Sequence, residues 1–156
     1  VRKPTLATYM DLPNQGCLTS YIAEDAYTVD DLIIPSGINN LDVLPSGVIP
    51  PNPSELLQSE KLDQLFVELR QRYDYVIVDS APVALVGDSY LLHRLVDMTL
   101  YVTRANYTPC ELIEFINQTH MQQRLPKMVA VFNGVDAKKI GYGYGYGYGY
   151  NKKKKK

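Results

Sequence analysis

Three short runs are almost continuously apolar and rich in β-branched residues: Tyr75-Val-Ile-Val-Asp79, Met98-Thr-Leu-Tyr-Val-Thr103 and Met128-Val-Ala-Val-Phe132. Runs of that length and character predict parallel strands covered on both faces. Leu41-Asp-Val-Leu44 is a weaker fourth strand. Between the runs the period changes to that of a helix. Asn52-Pro53-Ser54-Glu55 combines a capping residue, a proline at the first helical position and an early glutamate, and Thr108-Pro109-Cys110-Glu111 repeats the device. After the first opening, Leu62, Leu65, Phe66, Leu69 and Tyr73 fall on one helical stripe; after the second, Leu112, Ile113, Phe115 and Ile116 do the same. A third helix is expected from about Asp88 through Leu91, Leu92, Leu95 and Val96. Alternating strands and helices define an α/β class with a mainly parallel sheet flanked by helices and right-handed crossovers.

The pattern ends abruptly at Gly141. From there glycine and tyrosine alternate through Tyr150, and Asn151 and five lysines follow. Glycine costs backbone entropy on ordering and offers nothing to pack, and the lysines repel one another, so 141–156 is expected to be a disordered tail on a body of residues 1–140. The 156 residues carry a formal net charge of −1, but Lys152 to Lys156 supply five of the 16 basic residues. Residues 1–151 therefore hold 11 basic against 17 acidic residues, a net −6. An acidic body argues against nucleic acid as a partner. No apolar run approaches the roughly 18 to 20 residues of a membrane span, and no signal-peptide pattern opens the chain, so the chain by itself is expected to be soluble. Cys17 and Cys110 stand far apart without CxxC spacing, and His93 and His120 are isolated, which writes neither a disulfide framework nor a zinc site.

Ligands of such sheets bind beyond the carboxyl ends of the strands, which singles out Tyr75-Val-Ile-Val-Asp79-Ser80-Ala81-Pro82. An acidic residue closing an apolar strand can hold a magnesium ion on nucleotide phosphates through water; it can equally cap the turn or the next helix. The metal reading needs a phosphate loop, GxxxxGK[ST], and no Gly-Lys-Ser/Thr occurs in this sequence. The chain also lacks an initial methionine. Both features read as a fragment.

Several stretches in order resemble the later two-thirds of the cytoplasmic domain of bacterial tyrosine kinases that accompany capsular and exopolysaccharide export, the polysaccharide co-polymerase kinases. Val1-Arg2-Lys3-Pro4 is similar to the end of that family's additional acidic motif, and Leu12-Pro-Asn-Gln-Gly16-Cys-Leu-Thr-Ser-Tyr21 to its small-helix region. Leu44-Pro-Ser-Gly47-Val-Ile-Pro-Pro-Asn-Pro-Ser-Glu-Leu-Leu57 resembles its most recognisable stretch, Tyr73-Asp-Tyr-Val-Ile-Val-Asp79-Ser-Ala-Pro82 its second acidic motif, and the tail its tyrosine cluster.

The resemblance implies an incomplete phosphate-loop NTPase-like fold, with residues 1–140 forming the C-terminal part of a kinase domain. It implies ATP and Mg2+ as cofactors of the complete protein, with Asp79 as the magnesium and phosphate-site residue. Asp88 matches a family aspartate that positions the metal-bound water or acceptor, although a helix N-cap fits it as well. Asn133 matches an asparagine that contacts adenine in related site-selection and partition ATPases, and it also suits a turn before Gly134. Arg104 is placed to face nucleotide or a neighbouring subunit, or to be a plain exposed arginine.

Tyr142, Tyr144, Tyr146, Tyr148 and Tyr150 are implied phosphoacceptors, entering a neighbouring subunit's site within a homo-oligomeric ring. Other implied partners are a membrane-spanning polysaccharide co-polymerase segment and a tyrosine phosphatase, at the cytoplasmic side of the bacterial inner membrane. The phosphate loop and the family's additional aspartates would lie upstream of Val1, so the isolated fragment is expected to bind no cofactor and to be inactive. Two other functions fit the residues. One is a non-catalytic module phosphorylated by another chain, and the other a partition-type ATPase, against which the tyrosine tail speaks.

Overall fold

The computed structural model describes residues 16–136. The tail, with its five candidate acceptor tyrosines, and the stretch before Gly16 lie outside the described residues.

The first element among the described residues, α1 (Leu18–Ala23), is short and has no side-chain cap. Its leading amides are satisfied from elsewhere: Leu18 N donates to Pro45 O at 2.9 Å and Thr19 N to Ser46 O at 3.2 Å. This explains part of the Leu44-Pro-Ser-Gly47 stretch. Gly47 has φ +82°, and a Cβ there would lie 2.2 Å from Cys17 Sγ and 2.4 Å from Thr19 Oγ1. Positive φ and contact both demand glycine. Gly47→Ala is expected to destabilise the domain by about 3 kcal/mol, combining left-handed strain with overpacking, and chemical denaturation measures it.

A single 3-10 turn at Val29–Asp31 follows, closed by a reciprocal Thr28 and Asp31 capping box. Strands β1 (Ile34–Ile38) and β2 (Leu41–Val43) then form an antiparallel hairpin with an irregularity between Pro35 and Ile38. The weak strand at Leu41–Leu44 is thus present, but as half of an antiparallel pair. Asn40 takes φ 60° at the turn, a conformation asparagine tolerates.

The helix expected after Asn52 is broken in two: α2 (Pro53–Leu56) and α3 (Glu60–Arg72). Asn52 donates its side-chain amide to Glu55 rather than capping α2, and Ser59 Oγ caps α3 by accepting from Leu62 N. The apolar stripe of α3 makes the core. Leu62, Leu65, Phe66 and Leu69 are buried against Tyr21, Val29, Leu32, Leu57 and Leu95, with Leu32 completely enclosed.

Tyr75–Asp79, expected as a buried parallel strand, pairs with no strand among the described residues, and Tyr75 and Ile77 are largely exposed. Its β-branched, nearly continuous apolar run is that of a strand, but a ladder needs a neighbour. The third expected helix shrinks to α4 (Asp88–Leu91) and a 3-10 turn at His93–Leu95. Arginines hold this stretch to α3: Arg94 pairs with Asp63 at 2.9 Å and donates to Leu57 O at 3.0 Å, and Arg70 pairs with Asp97 at 2.7 Å while donating to Leu95 O.

Strands β3 (Thr99–Arg104) and β4 (Met128–Asn133) are parallel over six aligned pairs, joined through α5 (Glu111–Met121). Both lie within one residue of their expected bounds. The helix begins later than its motif, because Thr108 Oγ1 accepts from Arg104 N instead of capping α5. The sheet differs from expectation in cover. Leu100, Val102, Val129 and Val131 share one face of the ladder and all remain exposed, because no described layer lies over them. The class is α/β with a parallel strand pair, as the alternation requires.

Candidate functional site

The register of β3 and β4 places Arg104 opposite Asn133 at their carboxyl ends, so two candidate nucleotide residues are brought together. Asn133 Oδ1 accepts from Gly134 N at 2.7 Å, and Gly134 has φ +68°. That is a turn bond, and it leaves the Asn133 amide NH2 as its donor. The Arg104 guanidinium lies over the Tyr107 ring, 5.5 Å from its centre. Tyr107 is exposed. The stack pre-orients a cation at the strand ends.

Asp79 is exposed, and its carboxylate has no hydrogen bond or ion pair with another described residue. Ser80 and Ala81, next in the chain, are bound instead. Ser89 Oγ lies 2.7 Å from Ser80 Oγ and donates to Ala81 O at 2.8 Å. Beyond them Leu85 N and Val86 N both donate to Pro82 O, closing a turn. Asp88 opens α4 and is buried, and it accepts from Ser54 Oγ of α2 at 3.2 Å. Asp79 therefore faces outward and Asp88 inward, linked through the Ser80 and Ser89 hydroxyls. Ser54, Ser80, Ser89 and Tyr107 were not picked out by sequence. Ser80, directly after a strand-ending acid, and the Asp88-Ser89 pair after Gly87 were the available signals.

No cluster of three or more acidic, histidine or cysteine side chains placed to hold a metal occurs among the described residues. Magnesium on a nucleotide commonly takes one or two protein carboxylates and completes its shell with phosphates and water. One outward carboxylate fits that division of labour only beside a phosphate cradle, which these residues do not contain. A shallow depression lined by residues including His120, Leu125 and Met128 opens at the start of β4, the end opposite Arg104 and Asn133. It takes no part in this arrangement. No described helix is long and apolar enough to cross a membrane.

No protein-family model matches the chain. Individual relatives do. The chain is 38% identical over 105 residues to the putative tyrosine-protein kinase CapB of Staphylococcus aureus, covering 67% of this chain and 46% of that protein. It is 33% identical over 139 residues to the tyrosine-protein kinase YwqD of Bacillus subtilis, covering 89% of this chain and 58% of that one. Among solved structures, the kinase domain of the Escherichia coli tyrosine kinase ETK superposes with a TM-score of 0.77 at 30% identity, covering 94% of this chain and 57% of that domain. The chain is a relative of the bacterial tyrosine-protein kinases and has the fold of part of their kinase domain. It spans about half the length of the relatives CapB and YwqD.

Proposed function

We propose that this chain is the C-terminal part of a protein tyrosine autokinase that regulates capsular or exopolysaccharide polymerisation and export. The observation that carries the reading is the identity to YwqD across 89% of the chain. In the complete kinase, MgATP would supply the phosphoryl group and the charge neutralisation for its transfer. Asp79 would hold the magnesium ion through water from the carboxyl end of its strand. Asn133 would donate to the base, and Arg104, stacked on Tyr107, would present its charge to the nucleotide or to a neighbouring subunit.

Tyr142, Tyr144, Tyr146, Tyr148 and Tyr150 would be the acceptors. Flanked by glycines, each hydroxyl is sterically open, and an extended tail can enter a neighbouring subunit's site in a homo-oligomeric ring. Each phosphorylation adds roughly −1.5 to −2 charges, so five turn the lysine-ended tail strongly negative and loosen the ring by repulsion. A membrane-spanning co-polymerase segment and a tyrosine phosphatase complete the proposed partners at the cytoplasmic side of the inner membrane. The test is phosphotyrosine mass spectrometry on the complete protein with and without ATP. ATP-dependent phosphate on tyrosine supports the reading, and none on any tyrosine overturns it.

The 156-residue chain alone is expected to bind MgATP negligibly. Phosphate-loop amides and the loop lysine supply most of the favourable charge for a triphosphate, and the sequence has neither, while residues 1–151 carry 17 acidic against 11 basic residues. Isothermal titration should show no saturable heat. A stoichiometric micromolar site would place the nucleotide on residues other than these. The same lack of a phosphate loop favours a second reading, a module phosphorylated by another chain. Under it the tail gains phosphate only when an intact kinase is added.

A further inference from the structure

Each lysine and arginine among the described residues is already engaged. Lys61 pairs with Asp25, Arg70 with Asp97, Arg72 with Asp30 and Glu68, and Arg94 with Asp63. Arg104 lies over the Tyr107 ring, and Arg124 over that of Tyr90, 5.9 Å from its centre. Asp97, whose carboxyl the Arg70 hydrogen bond chiefly holds below the usual carboxylate range, also feels the charge of Lys127. Residues 16–136 contain seven basic against 16 acidic residues, a net −9. This body therefore offers no free cationic patch and is repelled by a negatively charged surface. The positive charge lies further along the chain: residues 137–156 contain seven lysines and no acidic residue, and five of the seven are Lys152 to Lys156.

Three kinds of polyanion could answer such a run. A second copy of the acidic body would have to gather carboxylates to seat it, and no three acidic, histidine or cysteine side chains among the described residues gather closely enough to hold one cation. A nucleic-acid strand calls for cations interleaved with aromatic rings along its backbone, whereas here the rings and the charges form separate blocks. A surface of anionic phospholipid suits that order. Its headgroups attract every lysine near them, and tyrosine rings favour the depth of the headgroups.

We propose that Lys152 to Lys156 hold this chain to an anionic phospholipid surface, and that phosphate on Tyr142, Tyr144, Tyr146, Tyr148 and Tyr150 releases it. The contact needs only the lysines; the release rests on the kinase reading. Transfer of the γ-phosphoryl group of ATP to a tyrosine oxygen, with loss of the hydroxyl proton and departure of ADP, adds roughly −1.5 to −2 charges. Five transfers take the block of five lysines from +5 to about −2.5 to −5, and attraction to the surface becomes repulsion.

Sedimentation of the 156-residue chain with vesicles tests it, using phosphatidylcholine alone or with about one-third phosphatidylglycerol at about 0.1 M salt. The chain should partition onto the anionic vesicles and not onto the neutral ones, and about 0.5 M salt should release it. Each lysine near such a surface strengthens partition about 5-fold, so changing Lys152 to Lys156 together to Gln should lower it by at least about 100-fold. The five-fold Tyr→Phe variant should stay within about 3-fold of the parent. The five-fold Tyr→Glu variant, which sets five negative charges beside the lysines, should lose about as much as the Gln variant. Chains phosphorylated on the tail by the complete kinase should be lost from the vesicles too. Parental binding by the Gln variant, or equal binding to neutral vesicles, would overturn the proposal. So would lysine-dependent self-association without vesicles, which would seat the run on a second copy, or preference for a single-stranded oligonucleotide over vesicles. Parental binding by phosphorylated chains would overturn the release. If the complete protein makes no phosphotyrosine, the kinase reading fails instead, and the Tyr→Glu variant still decides whether negative charge beside the lysines frees them.

Discussion

Asp79→Asn in the complete kinase is expected to lower tyrosine phosphorylation by at least about 100-fold, with the circular dichroism spectrum and melting temperature of the parent. The substitution keeps the shape of the side chain and removes one negative charge at the point where magnesium would be held. Folding should not suffer, because the carboxylate is exposed and makes no bond to another described residue. The fold rests instead on Leu32, Leu62, Leu65 and their neighbours. The contrast with Asp88 sharpens the expectation. Asp88 is buried and bound to Ser54, so its replacement should cost stability as well as activity. Phosphotyrosine on Asp79→Asn at the parental level would remove Asp79 from the site.

Changing Tyr142, Tyr144, Tyr146, Tyr148 and Tyr150 together to Phe should eliminate most phosphotyrosine while nucleotide binding by the complete domain persists. The rings stay and only the acceptor hydroxyls go. On ATP addition the parent tail should gain about −7.5 to −10 charges, visible as a shift in native electrophoretic mobility that the Phe variant lacks. Phosphate persisting at parental levels on tyrosines of the body would show that the tail is not the main acceptor.

How far such expectations were legible beforehand depends on whether the information is local. The stripe from Leu62 to Tyr73 has helical period throughout and became α3 and the core. β3 and β4 were bounded within a residue because each is an apolar run ended by polar residues, Arg104 and Asn133. The hairpin from Ile34 to Val43 was overlooked, since Pro35 and Gly37 interrupt its alternation and only the Asn39-Asn40 pair marks its turn. The break between α2 and α3 was masked by a strong opening at Asn52-Pro53, and Ser59 was not read as a second cap.

Tyr75–Asp79 carries the pattern of a buried strand, yet a pattern states only what a segment would bury if a neighbour were beside it. The candidate site divides along the same line. Asp79 and the pairing of Arg104 with Asn133 follow from strand ends, which sequence marks. The Ser80, Ser89 and Ser54 contacts depend on how α4 turns back across the loop, and single serines give no period to read.

The central claim is that the Asp79 site of one subunit phosphorylates the tail of another. It is tested most directly by mixing two variants of the complete protein, neither of which phosphorylates its own tail: Asp79→Asn with its tail intact, and the five-fold Tyr→Phe variant with Asp79 intact. With ATP and Mg2+, phosphotyrosine should appear on the tail of the Asp79→Asn chains only in the mixture, and mass spectrometry should place it at Tyr142, Tyr144, Tyr146, Tyr148 or Tyr150. Tail phosphate on Asp79→Asn chains without the partner, or none in a mixture whose parent protein is active, would contradict the account.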